Sequence, residues 1–129
     1  MQDHNEWLKF AFEDLQVAQK LADEEHPFIG SAMFHTQQCA EKSLKAFLVY
    51  KEEPLRRIHD LVALINLCKI FDEEFEAIRS DVVALNPYLC QTRYPDDCFM
   101  MPDVTALHAA VKQAHKIFYF VSDKISNKK

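Results

Sequence analysis

Glycine is almost missing from this chain, with one in 129 residues. Tight hairpins need residues at positive φ, and glycine is their usual supplier, so a sheet built from such turns is excluded. The same scarcity removes every glycine-dependent phosphate cradle and the strained turn that carries a hydrolase serine. Any nucleotide site here must therefore use side chains and helix ends. No run approaches the ~18 consecutive apolar residues of a membrane span. The opening MQDHNEW is polar and lacks the apolar core of a signal peptide. Cys39, Cys68, Cys90 and Cys98 form no C-x-x-C pair, which points to buried free thiols in a reducing cytoplasm. Basic excess is absent too. A net charge of −5 disfavours a general nucleic-acid coat, while leaving room for a local basic patch.

What is present is a single domain's worth of chain, residues 1–129, with 49% hydrophobic and 27% charged residues, the balance of a folded soluble protein. Asp3 can cap a first helix, with Glu6 at capping-box spacing. Trp7, Ala11, Leu15, Ala18 and Ala22 recur at helical spacing, and Phe10 and Leu21 widen the stripe. Pro27 and Gly30 interrupt it. A second helix is predicted from about Ser31 to Tyr50, with Met33, Gln37, Ala40, Leu44, Phe47 and Leu48 inward. A third begins near His59 and buries Leu61, Leu64, Ile65 and Cys68. Asp72 can cap a fourth, with Phe75, Ile78, Val82 and Leu85 on its face, which Asn86-Pro87 stops. Asp103 can cap the last, whose stripe is Val104, Leu107, Val111, Ala114, Phe118, Val121 and Ile125. The expected fold is all-α, an up-and-down bundle of four long or medium helices plus a minor fifth.

Three polar groupings compete with their plain structural readings. On the second helix, His35, Gln38, Lys42 and Lys45 share a sector of roughly a quarter turn, away from the core stripe. They are either a site or a solvated face. Glu41 and Lys45 have the favourable i,i+4 order, worth a few tenths of a kcal/mol on an exposed helix. Gln37 sits on the core stripe, where a buried amide needs partners across the bundle or across an interface. In LRRIHDL, Arg56, Arg57 and His59 gather positive charge before a helix start that can hold a phosphate, or they are solvated around an ordinary cap. The segment 87–102, PYLCQTRYPDDCFMMP, is the one long irregular stretch. Its Arg93 and Tyr94 can clamp a phosphate or stack on a base, and Asp96 and Asp97 can hold a cation, or an Arg–Asp pair simply pins the loop. Metal ligation is not assigned: His35 and Cys39 lack a second pair, and His108 and His115 stand seven residues apart, too far to share one ion.

Taken together, Trp7, FHTQQCAEKSLKAFL (34–48), IHDLVALI (58–65) and RYPD (93–96) resemble the HEPN family, named for higher eukaryotes and prokaryotes nucleotide-binding. The resemblance runs from about residue 5 to about residue 123. It implies a bundle of helices, commonly a homodimer, in a cytoplasmic prokaryotic protein often encoded beside a minimal nucleotidyltransferase. Many members are ribonuclease toxins marked by an Arg followed at short spacing by a His. Here no His lies four to six residues beyond Arg56, Arg57, Arg79 or Arg93. The catalytic assignment is thus not carried over, and His59 is left as its one weak candidate. The branch that fits carries A-E-K-x-L-K-A, H-D-L and R-Y-P-D. It implies a non-catalytic module that binds a nucleotide or a nucleotidyltransferase partner in a two-gene, toxin–antitoxin-like system. The nucleotide contacts would be Lys42, Lys45, Arg57, His59, Arg93, Tyr94 and Asp96, with Gln37 and Glu41 as structural polar residues. The cofactor expectation is ATP or GTP with a divalent cation. Two alternatives stand beside it: a ribonuclease acting on RNA through His59 with Arg56 or Arg57, and a pure protein-interaction module.

Overall fold

The computed structural model describes residues 3–54, 57–86 and 103–126. Among them the chain forms five α-helices and one 3₁₀ segment, and no strand. Helix α1 spans His4–Ala22, α2 Ile29–Tyr50, α3 Leu61–Phe71, α4 Arg79–Leu85 and α5 Val104–Ser126, and the 3₁₀ segment Glu73–Ile78 joins α3 to α4. The all-helical expectation holds.

Local chemistry explains most of the boundaries. The Asp3 carboxylate accepts from the Asn5 N–H at 3.0 Å and caps α1. Asp60 does the same for α3 through the Val62 N–H, and Asp103 for α5 through the Ala106 N–H. Asp72 serves two elements. Its N–H closes α3 on the Cys68 carbonyl, and its carboxylate accepts from the Glu74 N–H to open the 3₁₀ segment. The start of α2 departs from expectation. It begins at Ile29 with no side-chain cap, so Gly30 lies in its first turn rather than interrupting the chain. The positive φ falls elsewhere, on Glu52 at 62°, where the chain leaves α2. Glu52 and Glu53 N–H groups there bond back to the Val49 and Leu48 carbonyls.

Helix α2 is the axis of the bundle, packed by α1, α5, α3 and α4. From Ala32 to Tyr50 it has no exposed residue. Its predicted inward stripe, Met33 through Leu48, is buried throughout. Phe47 stacks against Phe75 at 4.5 Å between centroids, and Phe75 meets Phe120 edge-on at 5.0 Å, so α2, the 3₁₀ segment and α5 share one aromatic seam. Two expected core members are surface residues instead: Phe10 is 50% exposed and Val104 40%. Phe10 lies at the edge of the α1 stripe, and Val104 is the first residue of α5. Cys39 and Cys68 are buried free thiols, as expected; Cys90 and Cys98 lie outside the described residues. Burial pushes the Cys39 thiol up to about 12 and the Cys68 thiol higher still.

Candidate functional site

Because α2 is enclosed, its polar residues cannot all be a solvated face. They form two carboxylate-centred groups side by side. The first centres on Asp14 of α1, which is buried. Its Oδ1 lies 2.7 Å from His35 Nδ1, and its Oδ2 accepts from Lys42 Nζ at 2.8 Å. Lys42 Nζ also stands 6.0 Å from the centroid of the Phe10 ring. Sequence reasoning missed Asp14. The available signal was a carboxylate within the Ala11–Leu15–Ala18 stripe, a place where an unpaired charge is costly.

The second group centres on Glu41, 5% exposed. Lys45 Nζ donates to its Oε2 at 2.9 Å, and His59 Nδ1 reaches the same oxygen at 2.9 Å. An ionised carboxylate only accepts, so the imidazole donates from Nδ1 and Nε2 is the ring nitrogen that Glu41 does not hold. Lys45 is 7% exposed and lies 5.7 Å from the Trp7 centroid. The i,i+4 pair is therefore a buried ion pair. Removing one partner of such a pair strands a charge and costs about 3–5 kcal/mol, far more than the exposed-helix value. His59 arrives from the segment before α3, with its side chain 67% exposed.

Gln37 lies one turn before Glu41 and is 1% exposed. Its Oε1 accepts from the neighbouring Gln38 Nε2 at a long 3.4 Å. Its own Nε2 has no partner among the described residues. Of the two expected bonds, the one across the bundle is not made among the described residues. An orphaned buried donor costs about 1–3 kcal/mol.

The start of α3 is less open to an anion than its sequence implied. The Leu61 N–H donates to Asn86 Oδ1 at 3.1 Å and the Val62 N–H to Asp60. Arg57 is exposed beside it. Arg56, Arg93, Tyr94 and Asp96 lie outside the described residues. Among the described residues no group of three or more His, Cys, Asp or Glu is placed to hold a metal. A surface depression of about 330 Å³, lined by Glu74, Phe120, Asp123 and Lys124, shares no residue with either carboxylate group.

The architecture is that of a helical bundle with an enclosed, polar-faced central helix. The sequence matches the family described as HEPN domain over residues 4–125, and the chain belongs to that family. A solved structure of TT1696 from Thermus thermophilus is 26% identical, covers 96% of this chain and 99% of its own, and superposes with a TM-score of 0.78. The archaeal HEPN homologue ST0689 shares the fold at 23% identity and a TM-score of 0.76, over 97% of this chain and 99% of its own. No curated protein matches. No described helix is long and apolar enough to cross a membrane.

Proposed function

We propose that this HEPN domain is a non-catalytic module that binds a nucleotide, ATP or GTP with its divalent cation, along the polar face of α2. One observation carries the reading. Lys42, Lys45 and His59, from two segments, are held by buried carboxylates at one face, with Arg57 exposed nearby. Each ammonium donates one hydrogen bond to its carboxylate and keeps others for a phosphate. Asp14 and Glu41 balance Lys42 and Lys45, so the surplus positive charge of the set rests on Arg57. Arg93, Tyr94 and Asp96 complete the proposed contact set. In this reading the domain works as a cytoplasmic homodimer with a nucleotidyltransferase partner, in a toxin–antitoxin-like pair.

Titration calorimetry with ATP and GTP in the presence of Mg²⁺ tests it. Measurable binding that weakens at least tenfold in Lys45→Ala and in Arg93→Ala supports the reading. An absence of heat with both nucleotides overturns it. Co-expression with the product of a neighbouring nucleotidyltransferase gene tests the partner, and light scattering the dimer.

A ribonuclease reading is favoured by a single feature, an exposed His59 ring that Glu41 holds through Nδ1 and not through Nε2. Cleavage of RNA by the wild-type protein and its loss in His59→Ala would establish it. Equal residual activity in both would mark contamination.

A further inference from the structure

Phe10 is 50% exposed on α1, whereas Trp7, one turn earlier, packs against the core. Single exposed apolar side chains are common and mean little alone. This ring has a charged neighbour from another helix. Lys42 Nζ stands 6.0 Å from its centroid, and Asp14, one turn beyond Phe10, accepts a 2.8 Å hydrogen bond from that ammonium. We propose that Phe10 is the surface on which the base of the nucleotide stacks, with the adjoining phosphate on Lys42. This inference rests on the reading that the α2 face takes a nucleotide, and it names which end of the ligand goes where. The face of an aromatic ring is electron-rich, so it repels a phosphate and accepts the flat face of a base. Lys42 has the opposite preference, and its side chain, 28% exposed, is within reach of a dissolved anion. Trp7 repeats the pairing at 5.7 Å from Lys45 Nζ, but that lysine is 7% exposed and tied to Glu41. Phe12, the other exposed ring of α1, leans on Phe118 of α5 instead. The open pair of ring and ammonium is therefore Phe10 with Lys42. Stacking responds to ring area rather than to base edges, so the site takes purine nucleotides ahead of pyrimidine ones without separating ATP from GTP.

Titration calorimetry with ATP, GTP, CTP, UTP and inorganic triphosphate tests this on the wild type, Phe10→Leu and Phe10→Tyr. The wild type should bind ATP and GTP alike and more tightly than CTP or UTP. Phe10→Leu keeps an apolar side chain but no aromatic face, and should weaken ATP and GTP about tenfold, the loss of one stacked base. Phe10→Tyr keeps the face and should stay within about twofold of wild type. Triphosphate has no base to stack, so its binding should change less than about twofold in either variant. The melting temperature of Phe10→Leu should stay within about two degrees of wild type, as for other exposed positions, which separates lost stacking from lost packing. An ATP affinity unchanged in Phe10→Leu overturns the inference. So does a wild-type protein that binds triphosphate as tightly as ATP, an outcome that leaves phosphate binding at the face intact. If neither nucleotides nor triphosphate bind the wild type, the function reading falls and this inference with it. Should Phe10→Leu fail to fold, the ring-proton resonances of Phe10 in the wild-type protein decide. They move upfield with ATP and stay in place with triphosphate, and no movement with bound ATP refutes the role.

Discussion

His59 Nδ1 and Lys45 Nζ end on the same oxygen of Glu41, each at 2.9 Å. One buried carboxylate thus holds a buried ammonium within α2 and an exposed imidazole from outside it. Removing the carboxylate should have two separable consequences. Glu41→Gln leaves Lys45 charged and enclosed, with an expected loss of about 3 kcal/mol in urea unfolding. Adding Lys45→Met to that variant should recover most of the loss, because no unpaired charge remains. A loss below about 0.5 kcal/mol in the single variant, the range of ordinary surface substitutions, would mean that the pair is solvated.

The turn after α2 places Glu52 at φ 62°, a region costly for a residue with a Cβ. Glu52→Gly should stabilise the protein by about 0.5–1 kcal/mol. Gly30 has no such need, since it lies within α2 and no glycine has positive φ. Gly30→Ala should also stabilise, by about 0.5 kcal/mol. Paired thermal melts check both, and a destabilising Glu52→Gly would contradict the turn geometry.

Lys124 of α5 reaches Asp72 at 2.8 Å and also pairs with Glu74. At Asp72, burial acts to raise the carboxyl pKa, but the Lys124 ammonium and the Glu74 N–H outweigh it and hold it below 3.8. The Asp72 and Glu74 carboxylates hold Lys124 above 10.5. The depressed carboxyl contributes stability that is complete above 3.8 and lost as pH falls through its folded value. The raised ammonium contributes stability that is complete below 10.5 and lost as pH climbs through its folded value. Lys124→Ala should therefore cost up to about 1 kcal/mol at neutral pH, as partly exposed pairs do. The difference from wild type should shrink at both extremes. A gap independent of pH would assign the loss to packing of the lysine stem on Phe120 instead.

Cys39 and Cys68 should resist alkylation in the native state. With the Cys39 thiol at about 12, only about one molecule in ten thousand carries the reactive thiolate at pH 8, and burial blocks access besides. Peptide mass spectrometry after N-ethylmaleimide treatment should find both unmodified in folded protein and modified in urea. Rapid native labelling of Cys39 would show that α2 opens locally against α5, where its Sγ faces the Ala114 carbonyl at 4.0 Å.

The helix order, the caps at Asp3, Asp72 and Asp103, and the core stripe of α2 were legible in the residues, because capping and 3.6-residue periodicity act within a few positions, whereas the third helix was expected from about His59 and starts instead at Leu61 with Asp60 as its cap. The beginning of α2 was not. Ile29 starts it without a capping side chain, so packing rather than local preference sets that boundary. The helical wheel also separated Gln37 from the outer sector of His35, Gln38, Lys42 and Lys45. It gives the direction of each side chain but not what fills that direction, so Lys45 falls in the outer sector on the wheel although Glu41 and Trp7 enclose it in the bundle.

By itself the sequence determined an all-helical chain with HEPN-like segments, since one glycine and repeated apolar spacing leave few other folds. Only tertiary packing decided the chemistry of the α2 face. Asp14 meets His35 and Lys42 across 21 and 28 positions, and Glu41 meets His59 across 18. Pairings at such separations depend on how helices cross, and no local rule of spacing contains that. The same packing made an ordinary i,i+4 pair into a buried one and left Gln37 Nε2 without a partner among the described residues, because burial is a property of the assembled bundle and not of any one helix.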